Sequence, residues 1–227
     1  MRRYLPFIIV GIVALLTASG ATWLYRTKLA AASAAPAVTR NRPSDPAGSE
    51  VHALGPADAT VTLEEYGDFQ CPPCGALSQP INELARDFPR LRVVFKNFPL
   101  VMHQHANEAA LAAEAAGLQG HFWQMHDLLY REQSIWSKAA DTRPLFNAYA
   151  AMLKCNVDRF KKDMASDAVS ARVKADQKAG GKIGVTNTPT IFINNTVLPA
   201  ASLNPADLRA AVEAALKTPS LNRAANQ

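Results

Sequence analysis

The stretch Asp68-Phe69-Gln70-Cys71-Pro72-Pro73-Cys74-Gly75 decides how the rest of the chain is read. Two cysteines stand three apart where a β-forming segment gives way to a helix-forming one. At the head of a helix, unpaired backbone N–H groups and the macrodipole favour an anion. A thiol placed there has its pKa lowered from about 8.5 toward neutrality. The thiolate is the attacking species in disulfide exchange, so Cys71 reads as the nucleophile. Cys74, one turn later, reads as the group that resolves a mixed disulfide. Pro72 and Pro73 carry no backbone N–H, so two of the helix's free donors are missing beside Cys71 and the amide of Cys74 remains.

Outward from the motif, Thr60 to Tyr66 is β-branched and aromatic, as a strand should be. Gly75 to Phe88 places Leu77, Ile81, Leu84, Ala85 and Phe88 at helical spacing, and Leu91 to Phe95 reads as a second strand. The three form a βαβ unit with the two cysteines on its first turn. Residues 101 to 182 read as almost wholly helical. Ala106 to Leu118 is alanine-rich, with Gly117 and Gly120 as breakers, and Phe122 to Arg131 is amphipathic. Pro144 to Lys154 and Asp158 to Gly180 supply further helices, the last closed by Gly180-Gly181. Pro189 then precedes an apolar β run, Asn194-Asn195 signals a hairpin, and Asn204-Pro205 begins a last helix as N-cap and first residue. The order is βαβ, a helical stretch, then ββα.

Three blocks, Glu65 to Cys74, Phe95 to Leu100 and Gly184 to Thr190, resemble the thioredoxin superfamily and, more narrowly, the DsbA-like thiol–disulfide oxidoreductases. The resemblance covers roughly residues 51 to 216. It implies an α/β thioredoxin fold with an inserted all-helical subdomain at about 101–182. It implies a cis bond between Thr188 and Pro189, in a loop against the two cysteines, with Thr188 offering backbone hydrogen bonds to an extended client. It also implies that Glu65 is the buried acid assisting deprotonation of Cys74. Strand alternation independently puts Glu65 on the inward face with Val61 and Leu63, and Glu64 on the other. A buried carboxyl has a raised pKa and can exchange a proton near neutral pH. The plainer alternative is that Glu65 pairs with Lys96 on the neighbouring strand.

Lys96 and His105 are carried as residues that could tune the site, since a histidine near a redox centre can adjust thiolate charge. His103 and His105 also suit helix capping or the surface, and His121, Trp123 and His126 read as helix-face packing. Many DsbA-like proteins carry a histidine between the two cysteines, and this chain has none. The expected potential therefore lies between about −270 mV (thioredoxin) and about −120 mV (DsbA). Cys155 is expected on a helix as a small buried apolar residue, with a regulatory or intermolecular thiol as the alternative.

The favoured reading is disulfide formation in unfolded or exported client proteins. The redox group is the Cys71–Cys74 disulfide itself, with no organic cofactor and no metal. The resemblance implies reoxidation by a quinone-linked membrane protein, DsbB-like or related to vitamin K epoxide reductase. An isomerase or reductase using the same cysteines is the alternative. Isomerases of the superfamily usually add a dimerisation domain, for which residues 30 to 55 are too short, yet Thr188 also precedes the cis-proline in isomerases. From another class comes a non-catalytic binding or zinc-binding module, for which Cys155 and the His103/His105 pair would have to complete the ligands. A purely structural disulfide is disfavoured, because a three-residue link closes a tiny loop.

Of 227 residues, 48% are hydrophobic and 19% charged, enough for a full core in one domain. The formal charge is +5, but residues 1 to 50 hold six Lys/Arg against two Asp/Glu, and the remainder is nearly balanced. No basic excess recommends nucleic acid as a partner. Residues 4 to 25 carry no charge, which suffices for a membrane span. A cleaved signal peptide ending near Ala18-Ser19-Gly20-Ala21 is the competing reading. The expected organisation is an anchor or signal segment over 1–28, an Ala/Pro/Ser-rich linker over 29–50, the thioredoxin domain over 51–218 and a disordered tail over 219–227. A single-pass protein of the inner membrane follows, its domain on the extracytoplasmic or periplasmic side, or in the periplasm if cleaved.

Overall fold

The computed structural model describes residues 52–218. The expected anchor, linker and tail lie outside the described residues. Among those described, no helix is long and apolar enough to cross a membrane.

Two parallel strands carry the fold, β2 (Val61–Gly67) and β3 (Leu91–Asn97), joined through helix α1 (Pro72–Asp87). β1 (His52–Leu54) pairs antiparallel with β3, β4 (Thr190–Ile193) pairs antiparallel with β2, and β5 (Thr196–Val197) closes a hairpin on β4. Among the described residues the sheet order is β1-β3-β2-β4-β5. The expected hairpin turn forms at Asn194 and Asn195, whose φ values are +47° and +68°, as a tight turn of this hand requires. The last helix, α8 (Pro205–Lys217), starts as expected, with the Asn204 side chain accepting from the amide of Asp207. β1 escaped the sequence reading because three residues show no alternation to detect.

Between β3 and β4 lie α2 (Ala106–Gly117), α3 (Phe122–Arg131), a single turn α4 (Gln133–Trp136), α5 (Arg143–Met152), α6 (Val157–Met164) and α7 (Asp167–Lys182). Seven alanines of α2 are buried, so it is the central helix of the insertion, where small side chains let neighbours approach closely. Three expectations are corrected. The stretch expected as one helix from Asp158 to Gly180 is two, because Ser166 accepts from the amide of Val169 and caps a new start. Gly180-Gly181 does not close the last helix, which runs to Lys182. Cys155 lies in the turn between α5 and α6, after Lys154 takes a φ of +62°.

The sheet is covered on both faces. Leu63, Val93 and Ile191 pack with Leu77, Ile81 and Leu84 of α1 and Leu208 and Val212 of α8. Toward the C-terminal ends of the strands, Phe95 on that face meets Phe69 and the insertion's Phe122, Met125 and Tyr130. Tyr66 and Phe192 occupy the opposite face with Val185. The register sets Glu65 beside Phe95, and Tyr66 beside Lys96. Paired residues in a sheet share a face, so Lys96 stands on the opposite face from Glu65. The Glu65–Lys96 pairing is thereby corrected; Lys96 meets Asp176 of α7 at 3.4 Å.

Candidate active site

Cys71 is the N-cap of α1, with both prolines in the first two helical positions. Its amide donates to the carbonyl of Asp68 at 3.0 Å, and its carbonyl accepts from Gly75 at 3.2 Å, so helix and turn together fix the cysteine. The Thr188–Pro189 bond is cis. The Sγ of Cys71 lies 3.3 Å from the Thr188 carbonyl oxygen, which brings two segments more than a hundred residues apart into contact. Cys71 is only 5% exposed, and Cys74 is fully buried behind it. All three cysteines are free thiols in this structure.

The two thiols are driven apart electrostatically. Cys71 is brought down from 9.0 to about 6, chiefly by the hydrogen bond from Cys74. Burial opposes this; the Thr188 side chain and the Cys74 amide assist, and the Asp68 charge opposes weakly. The amide left unblocked by the two prolines is thus among the groups that favour the thiolate. Cys74 is pushed far above the ordinary thiol range by burial, by its bond to Cys71 and by the charges of Glu65 and Cys71. Glu65 is 2% exposed and faces inward as expected. Burial, then the Cys71 charge, raises its carboxyl from 4.5 to about 8, so it holds its proton at neutral pH.

Asp68 is the hub of the surrounding loop, a role the sequence reading did not assign. Its buried carboxylate accepts from the amides of Gln70 and Leu100, at 2.7 and 2.8 Å, and meets His103 Nδ1 at 2.7 Å. The motif turn is thus tied to the connection between β3 and α2, at whose tip Val101 and Met102 are 103% and 79% exposed. His105 is buried at the N-cap of α2, and it is its backbone amide that bonds to Gln70, at 2.7 Å. Gln133 of α4 was also missed. Its amide nitrogen donates to the carbonyls of Phe69 at 2.6 Å and Cys71 at 3.0 Å. No local pattern marks Gln133, because its partners lie more than sixty residues away. Among the described residues no three His, Cys, Asp or Glu side chains are grouped as a metal would need, so the zinc ligands considered above are not assembled.

A family model described as Thioredoxin matches residues 48–214. BdbD from Bacillus subtilis, in an oxidised crystal structure, is 26% identical, with a TM-score of 0.65 over 73% of this chain and 92% of that one. The thiol-disulfide exchange protein alpha-DsbA2 from Wolbachia pipientis shares the fold, with a TM-score of 0.62 at 17% identity over 71% of this chain and 85% of that one. A Na(+)/H(+) antiporter NhaA 1 from Salinispora arenicola is 41% identical over 145 residues, 63% of this chain but 21% of that protein. The chain thus spans about a fifth of the length of the first curated relatives it matches.

Proposed function

This chain belongs to the thioredoxin family, and from that premise we propose that it is a DsbA-like thiol–disulfide oxidoreductase that forms disulfides in exported proteins through Cys71 and Cys74. The observation that carries the reading is the pair of opposed thiols. One sulfur, at the head of α1 against the Thr188 carbonyl, has a pKa near 6. The other, fully buried, is held protonated.

In the disulfide form, a client thiolate attacks Cys71 Sγ and the Cys71–Cys74 bond breaks. Cys74 leaves with the electron pair and takes a proton, which Glu65 is placed to supply. A second client thiolate then attacks the client sulfur of the mixed disulfide. Cys71 departs as a thiolate, and its low pKa makes it a good leaving group. The client gains a disulfide, and the enzyme is left as a dithiol carrying two electrons. A quinone-linked membrane oxidant, DsbB-like or related to vitamin K epoxide reductase, would remove them.

An extended client would lie along the Thr188–Pro189 loop by strand addition, which reads backbone more than side chain. The exposed Val101 and Met102, on the connection that Asp68 ties to the motif turn, offer apolar contact. The uncharged run over residues 4 to 25 would hold the domain at the membrane, on the side where dithiols stay oxidised. Antiport is named for proteins about four fifths of which lie outside the match, and it forms no part of this reading.

Insulin reduction by the wild type and by Cys71→Ala tests the chemistry. Activity should vanish in the variant, and equal activity would sink the reading. A glutathione titration should place the couple between about −270 and about −120 mV. Thiol trapping in cells decides direction: a mostly oxidised pair marks a disulfide donor, a mostly reduced pair an isomerase or reductase.

A further inference from the structure

We propose that the hydroxyl of Tyr130 is the hydrogen-bond donor to the Glu65 carboxylate, a positioning residue for the proton exchanged with Cys74. Tyr130 comes from α3 of the helical insertion, and its ring is fixed by Phe69 at 5.0 Å and by His126 at 4.9 Å between centroids. Its hydroxyl lies over the end of β2. A Cβ at Gly67 would fall 3.0 Å from Tyr130 Oη and 2.4 Å from the Phe95 ring. Gly67 is two residues beyond Glu65, hence on the same face of the strand. Only a residue without a side chain lets the phenol come down there.

Glu65 Oε1, Tyr130 Oη and His126 Nε2 all lack a hydrogen-bond partner. The carboxyl oxygen can accept and the phenol can donate, and a buried orphan of either kind calls for a reason. The charges of Cys74, Glu65, Asp68 and Cys71 all bear on Tyr130. Glu65 faces Cys71 and Cys74 at the head of α1 and Tyr130 of α3, while Tyr130 in turn faces Asp68 of the motif turn and His126 of its own helix, with the apolar Phe95 of β3 beside it. While Glu65 holds its proton it has little need of a donor. Once the proton passes to the departing Cys74 sulfur, a carboxylate is left in a dry chamber. The Tyr130 phenol is then a neutral donor on the same side of the strand, and bonds to a charged acceptor are the strong ones. One bridging water would join the two.

The purpose of this contact rests on the oxidoreductase reading, but its measurement does not. In reduced protein carrying 13C-labelled glutamate carboxyls, the Glu65 titration is followed by NMR, with Glu65→Gln to assign the signal. Tyr130→Phe keeps the ring and removes the donor, so the Glu65 midpoint should rise by about one pH unit, with insulin reduction slowed several-fold at neutral pH. Difluorotyrosine at position 130 is a stronger donor of the same shape, and the midpoint should fall. A packing role alone would not move the midpoint in opposite directions. An unmoved midpoint in both variants overturns the inference, even with wild-type insulin reduction intact. Opposed shifts in a protein that never reduces insulin would uphold the contact and sink the oxidoreductase reading instead.

Discussion

Glu65 and Cys71 are displaced from their ordinary protonation in opposite senses, and each displacement acts on stability as well as chemistry. Between pH 4.5 and about 8 the folded chain keeps the Glu65 proton that an unfolded chain has lost. The native state then binds more protons, so stability falls as pH rises through that window. Glu65→Gln removes this slope. In the disulfide form the cysteines do not titrate, while burial, the larger cause, persists. The variant should match the wild type near pH 4 and exceed it by on the order of 2–3 kcal/mol at pH 7. Urea denaturation across that range checks it, and a difference independent of pH would refute it. Cys71 acts with the other sign in the dithiol form. Its folded value of about 6 lies below the ordinary 9.0, so its contribution is complete above pH 9 and is lost as pH falls through 6. The part of Glu65 in proton exchange with Cys74 is implied by the family resemblance, while the roles proposed for Cys71 and Cys74 and the inward face of Glu65 are legible from spacing and alternation. Asp68, Tyr130 and Gln133 are not, since each meets the site through a partner the linear chain does not reveal.

At the scale of elements, α7 shows why a glycine pair can mislead. Gly180-Gly181 looks like a helix stop, yet α7 continues through it. Gly180 is required by what the helix touches: a Cβ there would lie 2.8 Å from Tyr66 Cε1 and 2.9 Å from Phe98 Cε2. At Gly181 a Cβ would meet nothing within 4 Å. Alanine is the better helix former by about 1 kcal/mol at either site, but overpacking costs about 1–3 kcal/mol and wins at Gly180. Gly180→Ala should therefore destabilise by up to about 2 kcal/mol and Gly181→Ala stabilise by about 0.5–1 kcal/mol. Melting the two variants side by side decides it, because equal effects would deny the close approach. The strands and helices with long periodic patterns were read correctly in place and kind. The short ones, β1 and α4, and the break between α6 and α7 depend on partners or a single cap.

For the molecule as a whole, the joint between sheet and helical insertion has a polar part beside its apolar one. Glu114 of α2, 2% exposed, accepts from Asn97 of β3 at 2.6 Å and from Arg172 of α7 at 2.6 Å, and meets His52 of β1 at 2.9 Å. Removing Glu114 takes the shared anion from buried Asn97 and from the part-buried Arg172 and His52, a situation in which a buried ion pair matters most. Glu114→Ala should lose about 3–5 kcal/mol in denaturation followed by both tryptophan fluorescence and far-ultraviolet circular dichroism. A loss below about 1 kcal/mol would show the joint to be held by its apolar contacts alone. What the linear chain determined by itself is whatever local periodicity and spacing encode: the βαβ unit, the placement of Cys71 at a helix head, the helical character of the insertion and the inward face of Glu65. The tertiary structure alone decided which distant groups complete the site. The clamp of Gln133 and the approach of Tyr130 over Gly67 join segments whose separation along the chain says nothing about their distance in space, because only packing of the insertion against the sheet brings them together. The contact of Cys71 with Thr188 is implied by the family resemblance and is made by the pairing of β4 with β2.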